Sequence, residues 1–157
     1  MILPDVNLLL YAYNPKVPQY ATACAWWSRT LNGSELVGLP HEVAFGFVRI
    51  ATHPRLGAAS VPLDQARSVV ESWIAQPNVR VLIPAPDHFR RVMDLMTTAR
   101  ASGAVLSDAI LAAHAIANRA VLHTNDADFS RFPGLAWHNP LQGTASFSVI
   151  RTHPRAT

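Results

Sequence analysis

Acidic side chains are scarce in this chain, three glutamates and seven aspartates among 157 residues, so the position of each one carries information. Asp5 follows the apolar run Ile2-Leu3-Pro4, and Asp126 follows Val121-Leu122-His123-Thr124, so both stand where a buried strand would end. Glu42 lies in the first turn of a segment opened by Pro40, and Asp108 comes directly after Ser107, an expected helix N-cap. Helix N-termini favour ionised carboxylates. In an open α/β sheet, strands end and the following helices begin at one edge, where the ligand crevice forms, so four acids remote in sequence can meet there. Like charges gathered away from water repel one another and are costly unless a cation compensates. Carboxylate oxygens are hard ligands that suit Mg²⁺ or Mn²⁺, and such a site serves phosphodiester hydrolysis.

Each acid also has a plainer reading. Asp5 before Asn7 suits a turn or a cap, Glu42 and Asp108 suit ordinary first-turn helix acids, and Asp126 and Asp128 suit the turn Asn125-Asp126-Ala127-Asp128. The joint placement of all four outweighs these separate readings. Other chemistries are poorly served. His41-Glu42-Val43-Ala44-Phe45 lacks the second histidine of a zinc-protease helix, and the seven histidines are scattered, most of them expected at the surface or half-buried. Lys16 is the sole lysine and the seven glycines are dispersed, which argues against a P-loop, a dinucleotide loop or a receiver-type phosphorylation domain with its late lysine. Cys24 stands alone, so the chain can form neither an intramolecular disulfide nor a thiolate-based zinc site, and a reducing cytoplasm fits.

The elements that must position the acids follow an alternation of short apolar runs and amphipathic stretches, the pattern of a mostly parallel sheet. Strands are expected at 2–5, 36–39, 79–83 and 120–124, with a short edge strand at 135–137. Helices are expected over 18–31, from Pro40 to just before Pro54, over 63–74, over 86–101 and from Ser107 to about Arg119. Residues 1–141 read as one domain. From Gln142 the composition turns to Gly, Ser and Thr without a helical period, so 142–157 is expected to be a strand-like or loose tail. Thr-His-Pro-Arg at 52–55 and 152–155 is too short to mark a repeat.

Half of the residues are hydrophobic and 15% are charged, a composition that folds rather than stays disordered. The net charge of +3 rests almost wholly on arginine, which permits a phosphate-bearing partner without requiring one. Arg49, Arg55, Arg90, Arg91, Arg100 and Arg131 are candidate phosphate contacts. The start has no basic leader, and the apolar stretch 101–122 is broken by Asp108, His114, Asn118 and Arg119, so neither a signal peptide nor a membrane span is expected. Trp26 and Trp27 offer a base-stacking platform; the favoured expectation puts one in the core and its neighbour on a dimer or partner surface.

Four motifs in one order carry a family likeness: Leu3-Pro4-Asp5-Val6-Asn7, Glu42 before Val43-Ala44-Phe45, Leu106-Ser107-Asp108-Ala109, and Thr124-Asn125-Asp126-Ala127-Asp128-Phe129. With them the chain resembles PIN-domain proteins, and among these the VapC-type toxins of bacterial toxin–antitoxin pairs, from Met1 to about Leu141. The resemblance implies a three-layer α/β/α sandwich around a parallel sheet, Mg²⁺ or Mn²⁺ held by the acids, and hydrolysis of RNA. It also implies a cognate antitoxin and a homodimer. Carried over by position, Asp5, Glu42, Asp108 and Asp126 are the catalytic and metal-binding acids, Asp128 is a further candidate ligand, and Asn7 and Thr124 are supporting polar residues. Attack by a metal-activated water would leave a 3′-hydroxyl and a 5′-phosphate. Two other readings keep the same fold: a non-catalytic RNA-binding or regulatory module, and a structure-specific DNA nuclease.

Overall fold

A computed structural model describes residues 1–142 and the strand 147–149. The chain forms a three-layer α/β/α sandwich. Its sheet has the order β3-β2-β1-β4-β5-β6, with β1 (Ile2–Pro4), β2 (Val37–Pro40), β3 (Val79–Leu82), β4 (Val121–His123) and β5 (Ala136–His138) parallel. The last strand, β6 (Phe147–Val149), runs antiparallel to β5. β1 and β2 are buried at every position, as strands covered on both faces must be, whereas β3 at the sheet edge leaves its two middle residues exposed.

Among the described residues six α-helices link these strands: α1 (Val6–Ala12), α2 (Tyr20–Leu31), α3 (His41–Ala51), α4 (Leu63–Ile74), α5 (His88–Thr98) and α6 (Leu106–Ala117). α1 packs on α2 and α3, and α3 on α4, while α5 packs on α6. The two groups follow from right-handed crossovers: the chain steps from β1 outward to β3, then returns past β1 to lay down β4 on its other side. The order therefore reverses between β1 and β4. Their register pairs Ile2 with Val121, Leu3 with Leu122 and Pro4 with His123, so the two strands end level and Asp5 emerges beside Thr124.

The core on the α1–α4 side is aromatic. Trp73 and Phe47 are fully buried, with ring centroids 4.7 Å apart at 66°, and Tyr13 and Trp27 meet Trp73 edge-on or tilted. The Trp73 indole N–H donates to the Tyr13 hydroxyl at 2.8 Å, which satisfies a polar atom that burial would otherwise penalise.

Several expectations are corrected. Trp26 and Trp27 do not divide between core and surface, because both are buried; the Trp26 indole N–H donates to Nδ1 of His123 at 3.2 Å, across from β4. Ser107 is not an N-cap. A one-turn 3₁₀ helix, Gly103–Val105, runs directly into α6, so Leu106 is already helical and no side chain caps the junction. α1 had no counterpart in the expected elements: its run Leu8-Leu9-Leu10 shows no period, yet Leu8, Leu9 and Ala12 bury one face and Asp5 caps its start. β5 is not an edge, since β6 covers it. Beyond this strand the expected tail lies outside the described residues. The other described histidines are exposed or half-buried as expected, and His114 is buried.

Trp73→Ala should destabilise the protein by about 3–5 kcal/mol, the usual cost of an aromatic cavity. Equilibrium urea unfolding measures it; a loss below about 1 kcal/mol would show that the aromatic group does not hold this half of the core together.

Candidate active site

Asp5 is the residue between β1 and α1, and 4% of its surface is exposed. Its backbone N–H donates to the carbonyl of His123, and its carboxylate accepts the Thr124 hydroxyl at 2.7 Å. The backbone and side-chain N–H groups of Asn7 approach the same carboxylate at 3.4 and 3.5 Å. Asp5 is therefore both the cap of α1 and the centre of a polar knot at the point where the strand order reverses. Thr124 continues the chain of bonds: its oxygen accepts the Asp126 backbone N–H at 3.0 Å. Asp126 in turn caps a 3₁₀ turn, Ala127–Arg131, accepting the Asp128 N–H at 2.8 Å. One hydroxyl thus fixes Asp5 and Asp126 relative to each other.

Asp108 occupies the third position of α6, and Glu42 the second position of α3, just past the end of β2. A cavity of about 120 Å³ is lined by Asp5, Glu42 and Asp108 together with Arg49, Ser107 and Gly46. The predicted acids thus converge as α/β geometry requires. Asp126 enters the group through Thr124 and through its charge, and Asp128 through its charge.

The electrostatics record the crowding. Burial pushes the Asp5 carboxyl above the ordinary aspartate value, against the opposing bonds from Thr124 and Asn7, and the charge of Asp126 raises it further. Asp108 is also raised, first by burial and then by the charges of Asp5 and Asp126, with Arg131 opposing and Asp128 adding to the rise. The Arg131 guanidinium sits 3.1 Å from Asp128, a pair open to solvent. An exposed pair of this kind contributes about 0.2–1 kcal/mol, whereas burying an uncompensated ion costs several, so Arg131 does not balance the group. A set of oxygen donors with an excess of negative charge fits a hard divalent cation. Of the six arginines expected as candidate phosphate contacts, Arg49 lines this cavity and Arg131 stands near Asp108.

Glu42 departs from the simple picture. Its Oε2 lies 3.4 Å from Nε2 of His114, a fully buried ring on α6. The sequence carried no signal for this contact, because the two residues belong to different helices and histidine inside an apolar helix reads as core. At the C-terminal end of β4, burial and the neighbouring His138 push His123 down to about 4, which keeps its ring neutral and able to accept from Trp26.

Comparison with known proteins bears on the family and the fold. Residues 2–135 match the PIN domain. The chain belongs to the PIN-domain family. Within that family it is 42% identical to ribonuclease VapC33 of Mycobacterium tuberculosis over 142 residues, covering 90% of this chain and 99% of the relative. The fold matches that of VapC20 from Mycobacterium tuberculosis, a toxin that cleaves the sarcin-ricin loop, with a TM-score of 0.64 at 16% identity, covering 83% of this chain and 93% of that one. It likewise matches a chain of VapBC-1 from nontypeable Haemophilus influenzae, with a TM-score of 0.65 at 18% identity, covering 90% and 100%. Among the described residues of this PIN-domain protein, no helix is long and apolar enough to cross a membrane.

Asp5→Asn should raise the melting temperature of the chelator-treated protein at pH 7, since asparagine keeps the cap while removing a buried charge. The raised pKa sets the sign. The folded wild type holds the Asp5 proton more tightly than the unfolded chain does, so wild-type stability improves as pH falls through the folded pKa, and the improvement is complete below the unfolded value of about 3.9. The advantage of Asp5→Asn should therefore shrink on acidification. Calorimetric melts at neutral and acid pH would refute the account if the difference stayed constant.

Proposed function

We propose that this PIN-domain protein is a divalent-metal-dependent endoribonuclease of the VapC type, the toxin of a toxin–antitoxin pair. The observation that carries the reading is the convergence of Asp5, Asp108 and Asp126 at the β1/β4 reversal, with Thr124 joining two of them and Glu42 completing the rim. The 42% identity to a ribonuclease supports the activity, and the fold shared with a toxin that cleaves the sarcin-ricin loop supports RNA as substrate. A cognate antitoxin and a homodimer belong to the same reading, as does a domain spanning 1–141.

In this reading Asp5, Asp108 and Asp126 hold the ion, Glu42 joins them when it turns from His114, and Asp128 is an outer ligand. The all-oxygen donor set favours Mg²⁺ or Mn²⁺ over softer metals. Bound there, such an ion supplies a water of lowered pKa and neutralises charge developing on the phosphate. The chain contributes position. The Thr124 hydroxyl donates a hydrogen bond to Asp5, which keeps the other lone pairs of that carboxylate aimed outward, and Asn7 holds it from the α1 side. Arg131 and Arg49 provide fork-shaped donors for the phosphates flanking the cut.

Asp5→Asn and Asp126→Asn should each lower metal-dependent RNA cleavage by roughly 10²-fold or more, the scale on which single electrostatic groups act in active sites. Asp94→Asn, on the exposed side of α5, should leave it intact. Cleavage of structured RNA with Mg²⁺ or Mn²⁺, followed by analysis of the ends, tests both activity and route. A 3′-hydroxyl with a 5′-phosphate is expected. A 2′,3′-cyclic phosphate would mean that the ribose hydroxyl, not water, is the nucleophile.

A further inference from the structure

Behind Glu42, on the side away from Asp5, two histidines from neighbouring helices face each other. His88 opens α5 and His114 lies in the last turn of α6, with ring centroids 4.3 Å apart and tilted by 42°. Nε2 of His114 and Nε2 of His88 are both buried, and neither makes a hydrogen bond. The Glu42 carboxylate is 3.4 Å from the first of these atoms, but without hydrogen-bond alignment. Buried polar atoms are normally paired, and two left orphaned at one spot call for an explanation.

Taken together, Glu42, His88 and His114 each present one donor atom within 4.8 Å of the other two. Tetrahedral zinc with bonds of about 2.0–2.2 Å to nitrogen and oxygen places its ligand atoms about 3.4 Å apart. The Glu42–His114 separation already has that value, and rotation of the half-exposed Glu42 and half-buried His88 side chains can close the rest. Burial pushes the His114 ring toward its neutral form, the form that ligates, against the charge of Glu42. We infer that Glu42, His88 and His114 form a binding site for a borderline-soft divalent transition metal, Zn²⁺ above all, with a fourth position open to water.

This site differs in kind from the carboxylate group. Two imidazoles and one carboxylate select zinc-like ions, whereas the oxygen-only group selects magnesium-like ones. The two share Glu42, which lines the acidic cavity and also the apolar cleft around Pro84, Phe89 and Leu106 into which His88 opens. The inference concerns binding and stands whether or not the chain cleaves RNA.

Co²⁺ serves as the probe, because four-coordinate cobalt absorbs visible light far more strongly than six-coordinate cobalt. Untagged protein carrying Cys24→Ser, so that no thiolate competes, is titrated with Co²⁺ in excess Mg²⁺, and then with Zn²⁺ to displace the cobalt. One equivalent with an intense four-coordinate spectrum is expected, reversed by one equivalent of Zn²⁺. His88→Gln should weaken binding by at least roughly tenfold, which is the loss that even an indirect partner causes at metal sites. Asp126→Asn should leave the spectrum unchanged. His88 is only half-buried, so its variant is the informative one, while His114→Gln is read only if its circular dichroism matches the parent. A weak six-coordinate spectrum, cobalt binding unaffected by His88→Gln, or cobalt lost with Asp126→Asn would each overturn the site.

Discussion

Everything at the candidate site depends on where the sheet reverses its strand order. β1 and β4 are parallel neighbours at the point where the strand order reverses, and in an open α/β sheet the ligand crevice forms beyond the strand ends at such a point. Asp5 sits at that opening, and the Thr124 hydroxyl spans it at 2.7 Å to reach the carboxylate. This bond joins residues 119 positions apart in the chain. It also lies in a buried setting, where a charged acceptor makes a hydrogen bond stronger than in water and an unpaired one would be costly. The first and fourth strands are thereby locked level, and the acids of two separate segments share one space.

The same arrangement carries an internal conflict. Asp5 and Asp108 are both pushed toward their neutral forms by burial and by neighbouring carboxylates, while Arg131 is engaged with Asp128 at the solvent edge. A fold selected for stability alone would replace such a group with apolar residues, since buried charge seldom repays its desolvation. In a chain with only ten acidic residues, such a group is a donor set that a hard divalent cation would balance. Glu42 shows how finely the balance is set. It stands on the rim of this group, yet it is turned to a buried histidine rather than to the aspartates, so its side chain can serve either side.

The fold tolerates wide sequence change. VapC20 of Mycobacterium tuberculosis shares the architecture at 16% identity. What the fold itself requires is small: strands that end level and helices that begin at the same edge. Core identity is freer, because packing requires volume and apolar character more than particular residues. Here that role falls to an unusual aromatic group, in which Trp73, Phe47, Tyr13 and Trp27 fill the space under α1 and α3.

Much of this was legible in the residues themselves. β-branched and apolar runs marked the parallel strands, spacing marked most of the helices, and the scarcity of acids made Asp5, Glu42, Asp108 and Asp126 stand out as a set, because local propensity and charge are written directly into the chain. Helix α1 was not legible: a triple leucine has no period, and only docking against α2 and α3 decides that it coils. The same is true of the start of α6, where a 3₁₀ turn replaces the expected serine cap, and of Trp26 and Trp27, both of which find cover beneath neighbouring elements. The meeting of Glu42 with His114 and His88 belongs to tertiary structure alone. Nothing in the spacing of three residues on three helices encodes a contact, which arises only when the helices are packed against one sheet.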